Sequence, residues 1–334
     1  MPSSSSGHPS ADMRGWIVRQ KGVAEFVDDL AEPELVDDSM IVAVEAAPVN
    51  YADRLQIDGK HQIRPPRPFV AGLEGAGTVV ESSCAHYPVG SRVMGLVALG
   101  VGSWAERCRF SPDNVVAVPD GVDIVTAAAI HLNAETVWLG LHHRAGVKAG
   151  DVVLVHAAAG GVGTMAVQLA AAAGATVIAT CSVGKAHIPA RLGASVVVDN
   201  RTTHWHKQVA EHAPDGVDIV VDPVGGQIFE RSLKLLRFEG RLLTIGFASG
   251  EIPSLAANYA LVKNLSLLGV FWEPYAAHRA DLVVRAANEI FALHAAGDLD
   301  PCLSVVDDIS NAVERVNDVA AGRTVGKTVL VWER

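Results

Sequence analysis

Residues 152–184 carry no Asp, Glu, Lys or Arg, and the rhythm of apolar positions changes three times within them. VVLV (152–155) is a β-branched run, a glycine turn follows at 158–163, TMAVQLAAAAGA (164–175) is rich in helix-forming alanine, and TVIAT (176–180) is β-branched again. A membrane span needs about 20 apolar residues, so length alone would allow one. The glycine turn and the two β-branched runs instead predict a βαβ unit, whose strands are continuously apolar because a parallel sheet is covered on both faces. The rhythm recurs at VVVD (196–199), DIVVD (218–222), RLLTIGFASG (241–250) and SLLGVFW (266–272), with helical stretches at 203–212, 227–236 and 256–263 between them. KAHIPARLGA (185–194) has Pro189 inside it, so that helix is expected to begin late or to be distorted in its first turn. Six parallel strands with crossing helices predict a doubly wound α/β sheet over about residues 135–273.

The flanks read differently. Residues 14–130 hold short strand-like runs such as MIVAVEAAPV, GAGTVVE, SRVMGLV and NVVAVP, closely punctuated by turns, which predicts a compact, mostly β domain. After Tyr275 come a long amphipathic helix at about 280–296, a second at about 309–320, and the strand KTVLVW. The boundaries drawn from this pattern are a disordered tail at 1–12, a mostly β domain from 13–134 with 274–334, and the doubly wound domain at 135–273.

Composition narrows the classes. At 334 residues the chain is long for one core, and 49% hydrophobic against 19% charged residues suits a soluble globular protein. A net charge of −10 argues against a nucleic-acid partner, which needs clustered Lys and Arg. Cys84, Cys108, Cys181 and Cys302 form no CxxC pair, which fits a reducing cytoplasm better than a disulfide framework. MPSSSSGHPSAD lacks the charged and apolar regions of a secretory signal, and Met13 offers an alternative start.

The turn Ala158-Ala159-Gly160-Gly161-Val162-Gly163 is a GxGxxG fingerprint with alanine at its first position. Gly160 and Gly161 let the main chain approach a pyrophosphate, Gly163 lets helix pack on strand, and the helix N-terminus offers N–H groups to the phosphates. An NAD site ends its second strand in a carboxylate that bonds the ribose 2′-OH. Here TVIAT runs into Cys181, Ser182 and Lys185, and Asn200-Arg201 follow the next strand. A hydroxyl and cations favour a 2′-phosphate, hence NADP(H).

From Met13 onward the chain resembles the medium-chain dehydrogenase/reductase superfamily, in its zinc-independent NADPH:quinone oxidoreductase-like branch. The resemblance is carried by VNYADRLQIDGK (49–60), PFVAGLEGAGTVVE (68–81), GSRVMGL (90–96), AAAGGVG, DPVGG (222–226), GFASGEIP (246–253), LLGVFW (267–272) and GRTVGKTVL (322–330). It implies a GroES-like, mostly β catalytic domain built from both chain ends, a Rossmann domain between them, a cleft where they meet, and a homodimer formed through the Rossmann sheet. Zinc-dependent relatives place histidine before the glutamate of their GHE motif. This chain has Gly72-Leu73-Glu74, and the four-cysteine lobe is missing between Gly90 and Ala105, so no metal is expected. Cys84-Ala85-His86 and His204-Trp205-His206 read as ordinary surface chemistry.

The resemblance also sets Asn50 beside the nicotinamide, with Tyr51 and His61 as candidate proton donors. It gives Thr136, at the start of a helix linking the domains, with Gly246, Phe247, Ala248, Val270, Phe271 and Trp272 to the cofactor's nicotinamide side, as it gives Ala159 and Val162 to the pyrophosphate turn. His61 departs from relatives that carry tyrosine there. Without zinc, catalysis rests on hydride proximity and on donors to a developing oxyanion. The expected reaction is NADPH-dependent reduction of quinones or α,β-unsaturated carbonyls. Two other readings stay open: an enoyl-thioester reductase, for which Arg64 and Arg67 are the local cations, and a catalytically idle NADPH-binding protein with a structural or regulatory role.

Overall fold

The computed structural model describes residues 12–332, so the tail expected at 1–12 lies, but for Asp12, outside the described residues. The chain divides into two compact units. The first contains the described residues up to Asp120, Asp307–Asn317 and the chain from Leu330 on; the second contains Gly121–Val306 and Asp318–Val329.

The first unit runs β1 (Met13–Gln20), β2 (Val23–Leu30), β3 (Met40–Val49), α1 (Tyr51–Ile57), β4 (Phe69–Val70), β5 (Glu74–Ser82), β6 (Arg92–Val97) and β7 (Arg107–Ala117). Strands β2, β1 and β4 form a small sheet. In the larger one β3, β5, β6 and β7 pair in that order, antiparallel throughout, and β7 pairs back onto β3. Closing the sheet on itself removes two exposed edges. Its interior holds Met40, Val42, Ala46, Val79, Met94, Cys108 and Phe110, all buried.

The second unit opens with α2 (Ile124–Trp138), capped by the Asp123 carboxylate accepting the Thr126 N–H at 2.9 Å. It continues without a break into a π-helical turn, Leu139–Arg144. Together they make the one helix among the described residues long and apolar enough to cross a membrane, and 78% of its most apolar 18-residue stretch is buried inside the protein, as in a core helix. Next come β8 (Val152–Val155), α3 (Gly161–Ala172), β9 (Thr176–Cys181), a short 3₁₀ turn (Val183–Lys185) and α4 (His187–Arg191). They are followed by β10 (Val196–Asp199), α5 (Trp205–His212), β11 (Val217–Asp222), α6 (Gly226–Leu235) and β12 (Leu236–Thr244). The unit goes on with α7 (Ala257–Lys263), β13 (Ser266–Gly269), α8 (Glu273–His278) and α9 (Ala280–Ala296). The last elements, β14 (Leu303–Asp308), α10 (Ala312–Ala320) and β15 (Lys327–Val331), straddle the division between the units, and β14-β15 extend the β3 sheet.

The second unit's sheet has the order β10-β9-β8-β11-β12-β13, parallel throughout. This is the doubly wound order, with its reversal between β8 and β11. Leu154, Ile178, Val220 and Leu242 pack from the sheet against Trp205, Val209, Phe229 and Leu233 of the α5–α6 side. Burial on both faces explains why residues 152–184 lack charge. Pro189 acts as expected: α4 is five residues long and a 3₁₀ turn stands where its first turn would be.

Three expectations shift. The boundary drawn at 134/135 falls inside α2, since the units divide at Asp120 and Gly121. Thr136, expected at the start of its helix, lies in the last turn of α2. β12 begins at Leu236, within the stretch expected to finish α6, because Leu236 already pairs with Val217 across an irregularity in the ladder.

Candidate functional site

The fingerprint turn joins β8 to α3 at the reversal point of the sheet. A Cβ on Gly163 would lie 2.2 Å from the Ala157 carbonyl oxygen and 2.6 Å from the Ala158 Cα, so only glycine lets α3 seat on the strand. A Cβ on Gly161 would lie 2.4 Å from Nδ2 of Asn133, on α2. Gly160 is different: its Cβ would meet nothing nearer than the Ala157 oxygen at 3.4 Å. Space beside Gly160 is open, and Gly160 begins α3 with no side-chain cap, so the first-turn N–H groups are presented outward with the positive end of the helix. The Ala159 carbonyl accepts the Gly326 N–H at 2.8 Å, which binds a C-terminal segment along the turn. An open glycine, an uncapped 12-residue helix and a braced turn fit a pyrophosphate.

Directly before the turn, His156 is fully buried. Its Nδ1 lies 2.8 Å from the Thr180 hydroxyl and its Nε2 2.8 Å from the Ser232 hydroxyl. Ser232 Oγ donates to the Ile228 carbonyl at 2.7 Å, so it accepts from Nε2–H and the imidazole is neutral, with Nδ1 as acceptor. Burial pushes its pKa down to about 3.

Ser182, Lys185 and Asn200 gather at the ends of β9 and β10, where the Asn200 N–H donates to the Cys181 carbonyl at 3.0 Å. The Lys185 ammonium donates to the carbonyls of Gly322 (2.7 Å) and Thr324 (2.6 Å), a role the sequence did not announce. Burial lowers its pKa, and the neighbouring Arg201 cation lowers it further against the opposing influence of Cys181. Two cations within reach of one another at this strand end suit a dianionic group. The Asp199 carboxylate, at the end of the next strand, accepts the Arg201 N–H at 3.0 Å.

A second group lies at the ends of β12 and β13. The turn at Gly246, Phe247 and Ala248 meets the one at 222–226, with the Ala248 N–H donating to the Pro223 carbonyl at 3.1 Å. The Val270 N–H donates to the Thr244 carbonyl at 3.0 Å. Val270 and Trp272 are buried, and Phe271 between them is 42% exposed. Thr136 is buried on α2 beside Glu135, whose carboxylate accepts the Trp272 indole N–H at 2.8 Å. Glu273 follows Trp272, and burial pushes its carboxyl up to about 7.

In the first unit, Asn50 caps α1. Its N–H donates to Asp53 Oδ2 at 2.7 Å, and Asp53 Oδ1 accepts the Leu73 N–H at 2.9 Å. The Asn50 amide donates to Glu74 Oε1 at 2.6 Å. Two buried carboxylates thus fasten the start of α1 to the turn at 72–74, a link hidden in the sequence because 20-odd residues separate the partners. Tyr51 is the first, half-buried residue of α1. His61, beyond the other end of α1, is buried, and its Nδ1 lies 3.1 Å from the Ile63 carbonyl oxygen and 3.2 Å from the Ile63 nitrogen. Burial lowers the His61 pKa, partly offset by its bond to the Ile63 main chain. Arg64 is tied by its Nε to the His61 carbonyl at 3.0 Å.

Residues 36–120 match the family of alcohol dehydrogenase GroES-like domains, and residues 161–286 that of zinc-binding dehydrogenases. A quinone oxidoreductase-like protein 2 homolog of Nematostella vectensis is 32% identical over 323 residues, covering 95% of this chain and 88% of that one. The structure of mycobacterial Rv1454c complexed with NADPH is 30% identical with a TM-score of 0.89, covering 96% of this chain and 99% of that one. Escherichia coli quinone oxidoreductase, likewise complexed with NADPH, is 26% identical with a TM-score of 0.86, covering 95% and 99%. Among the described residues no group of three or more His, Cys, Asp or Glu side chains could hold a metal ion; Leu73 stands before Glu74, whose carboxylate accepts the Asn50 amide.

Proposed function

This chain belongs to the medium-chain dehydrogenase/reductase family, in its quinone oxidoreductase-like branch, and from that membership we propose that it is an NADPH-dependent reductase of quinones or α,β-unsaturated carbonyls that works without zinc. The observation that carries the reading is the cofactor half of the site. An open Gly160 at an uncapped helix start fits the pyrophosphate, and Ser182, Lys185, Asn200 and Arg201 at the next strand ends fit a 2′-phosphate. When bound, NADPH supplies a hydride.

The chain's own residues then do the rest. Val270, Phe271 and Trp272, with Thr136 and the turn at Gly246–Phe247–Ala248, line the reacting end, and the exposed Phe271 ring offers an apolar wall to a flat acceptor. A quinone or enone that accepts hydride becomes a delocalised anion, so its oxygen needs only hydrogen-bond donors rather than a Lewis acid. Asn50 and Tyr51 are the donors proposed for that oxygen, and Tyr51 or His61 the proton source for an enone product. The Glu74 carboxylate orients the Asn50 amide. Simple alcohol oxidation, which depends on lowering the alcohol's pKa, is then negligible.

We further propose a cytoplasmic homodimer formed along β13. That strand is an edge of the parallel sheet, and its own Leu267 and the α7 residues Leu261 and Val262 are exposed, a combination that invites a second copy. The test of the reaction is an NADPH-oxidation screen over quinones, enones and enoyl thioesters, with NADH in parallel. Turnover confined to the first two classes with NADPH is expected. Robust turnover of ethanol with NADP overturns the reaction class, and turnover of enoyl thioesters alone moves it to that class.

A further inference from the structure

Between Ile124 and Leu141 the chain has one charged residue, Glu135. Its carboxylate is fully buried in the second unit, on a helix whose buried side chains are mostly apolar. Burying a carboxylate is costly, and well-packed apolar residues often serve stability as well or better. Both of its oxygens are in use. Oε2 accepts the Trp272 indole N–H at 2.8 Å, and Oε1 lies 3.0 Å from Nδ1 of His131, one helical turn earlier. The His131 ring stands edge-on to the Trp272 ring, with centroids 5.5 Å apart and planes at 80°. The indole is therefore gripped at its N–H and against its ring, by two residues of the same helix.

The three residues that end this part of the sheet show what the grip governs. Val270 packs on the π-helical turn, where a Cβ on Gly140 would come within 3.3 Å of its side chain. Trp272 is held by α2, and Phe271 between them points outward. With its neighbours fixed on either side, Phe271 has little freedom of main chain. We infer that Glu135 is a positioning residue: by holding Trp272, with His131 orienting its carboxylate, it sets the place of Phe271 and of the main chain around it. This deepens the proposed reading and rests on it, since that reading assigns residues 270–272 to the hydride-transfer end of the cofactor.

Three substitutions test it. Glu135→Gln keeps the volume and an acceptor for the indole N–H, and its amide N–H meets His131 Nδ1 when the ring proton sits on Nε2. Glu135→Leu keeps the volume and removes both, and Trp272→Phe removes the indole N–H. Rates are measured with NADPH and 1,4-naphthoquinone, per NADPH site counted by fluorescence titration. Because a misplacement of about 1 Å costs on the order of 100-fold, Glu135→Leu and Trp272→Phe are each expected to lower kcat by ~10- to 100-fold, and Glu135→Gln to hold it within ~3-fold. NADPH affinity changes little in the two Glu135 variants, since Glu135 touches neither the pyrophosphate turn nor the 2′-phosphate end. The double variant Glu135→Leu/Trp272→Phe is no slower than the slower single one, because both changes release the same grip.

A purely structural role would lower Tm and the number of binding sites while leaving kcat per site intact. That result, or additive losses in the double variant, overturns the inference. If Glu135→Leu does not fold, wild-type kcat in Trp272→Phe overturns it alone. Wild-type protein that neither binds NADPH nor reduces the quinone refutes the functional reading and this inference with it. Normal wild-type turnover matched by the variants refutes only the role of Glu135.

Discussion

Lowering the pH from 7 to 5 should weaken this protein through His156. In the fold the imidazole is neutral, enclosed with the Thr180 and Ser232 hydroxyls and standing edge-on to Trp205 at 5.1 Å between centroids. Burial takes its pKa from 6.5 to about 3. Above pH 6.5 folded and unfolded chains are both neutral at this position, so the histidine adds no pH dependence. Below 6.5 the unfolded chain gains a proton that the folded one refuses, and stability falls with each unit until the folded pKa is reached. At pH 5 the loss is about 2 kcal/mol, and the full span to pH 3 would give roughly 5 kcal/mol, at about 1.4 kcal/mol per unit. Urea unfolding followed by circular dichroism at pH 7 and pH 5 measures it, with His156→Gln as the non-titrating reference. The variant starts less stable, but it should lose about 2 kcal/mol less than wild type between the two pH values, by the same linkage. Equal losses in both proteins would refute the reasoning.

Other expectations follow from single contacts. Gly163→Ala forces a Cβ onto the Ala157 carbonyl and should cost about 1–3 kcal/mol in thermal or urea unfolding together with NADPH affinity, whereas Gly160→Ala, at an ordinary 3.4 Å, should leave unfolding unchanged and weaken only NADPH. Lys185→Asp should narrow or reverse the preference for NADPH over NADH in paired titrations, and equal wild-type affinities for the two would remove its motive. Tyr51→Phe or His61→Ala should slow enone reduction more than quinone reduction, because a hydroquinone anion takes protons from water. Since burial lowers the His61 pKa, any rate that depends on its protonated form should still be rising as pH falls below 6.5, with no such rise in His61→Ala. Elemental analysis should find no stoichiometric zinc, and chelators should leave turnover untouched.

The parallel sheet was legible because strands covered on both faces must be apolar throughout, and glycine turns between them leave little choice of topology. The fingerprint was legible for the same reason: Gly163 is required by a steric contact only two elements wide. Other features depend on partners far apart in sequence. Nothing near Lys185 points to the carbonyls of Gly322 and Thr324, and nothing near Asn50 points to Glu74. The early start of β12 was hidden because Leu236 suits a helix end as well as a strand, and its pairing with Val217 decides. Glu135 could have been found: a lone acid in an apolar helix, one turn after a histidine, is a signal in itself. The compact units divide at Asp120, where the pattern has no step because α2 is as apolar as the sheet it accompanies.

The hydrogen bond from Gly326 to Ala159 has a consequence for how the protein is made. Every strand of the parallel sheet has left the ribosome well before residue 326 is synthesised. A nascent chain can therefore complete the sheet while its phosphate turn still lacks the brace from Gly326. The capacity to hold a nucleotide firmly then arrives only once residue 326 has been added, and chains cut short before it would carry a folded sheet with a slack turn.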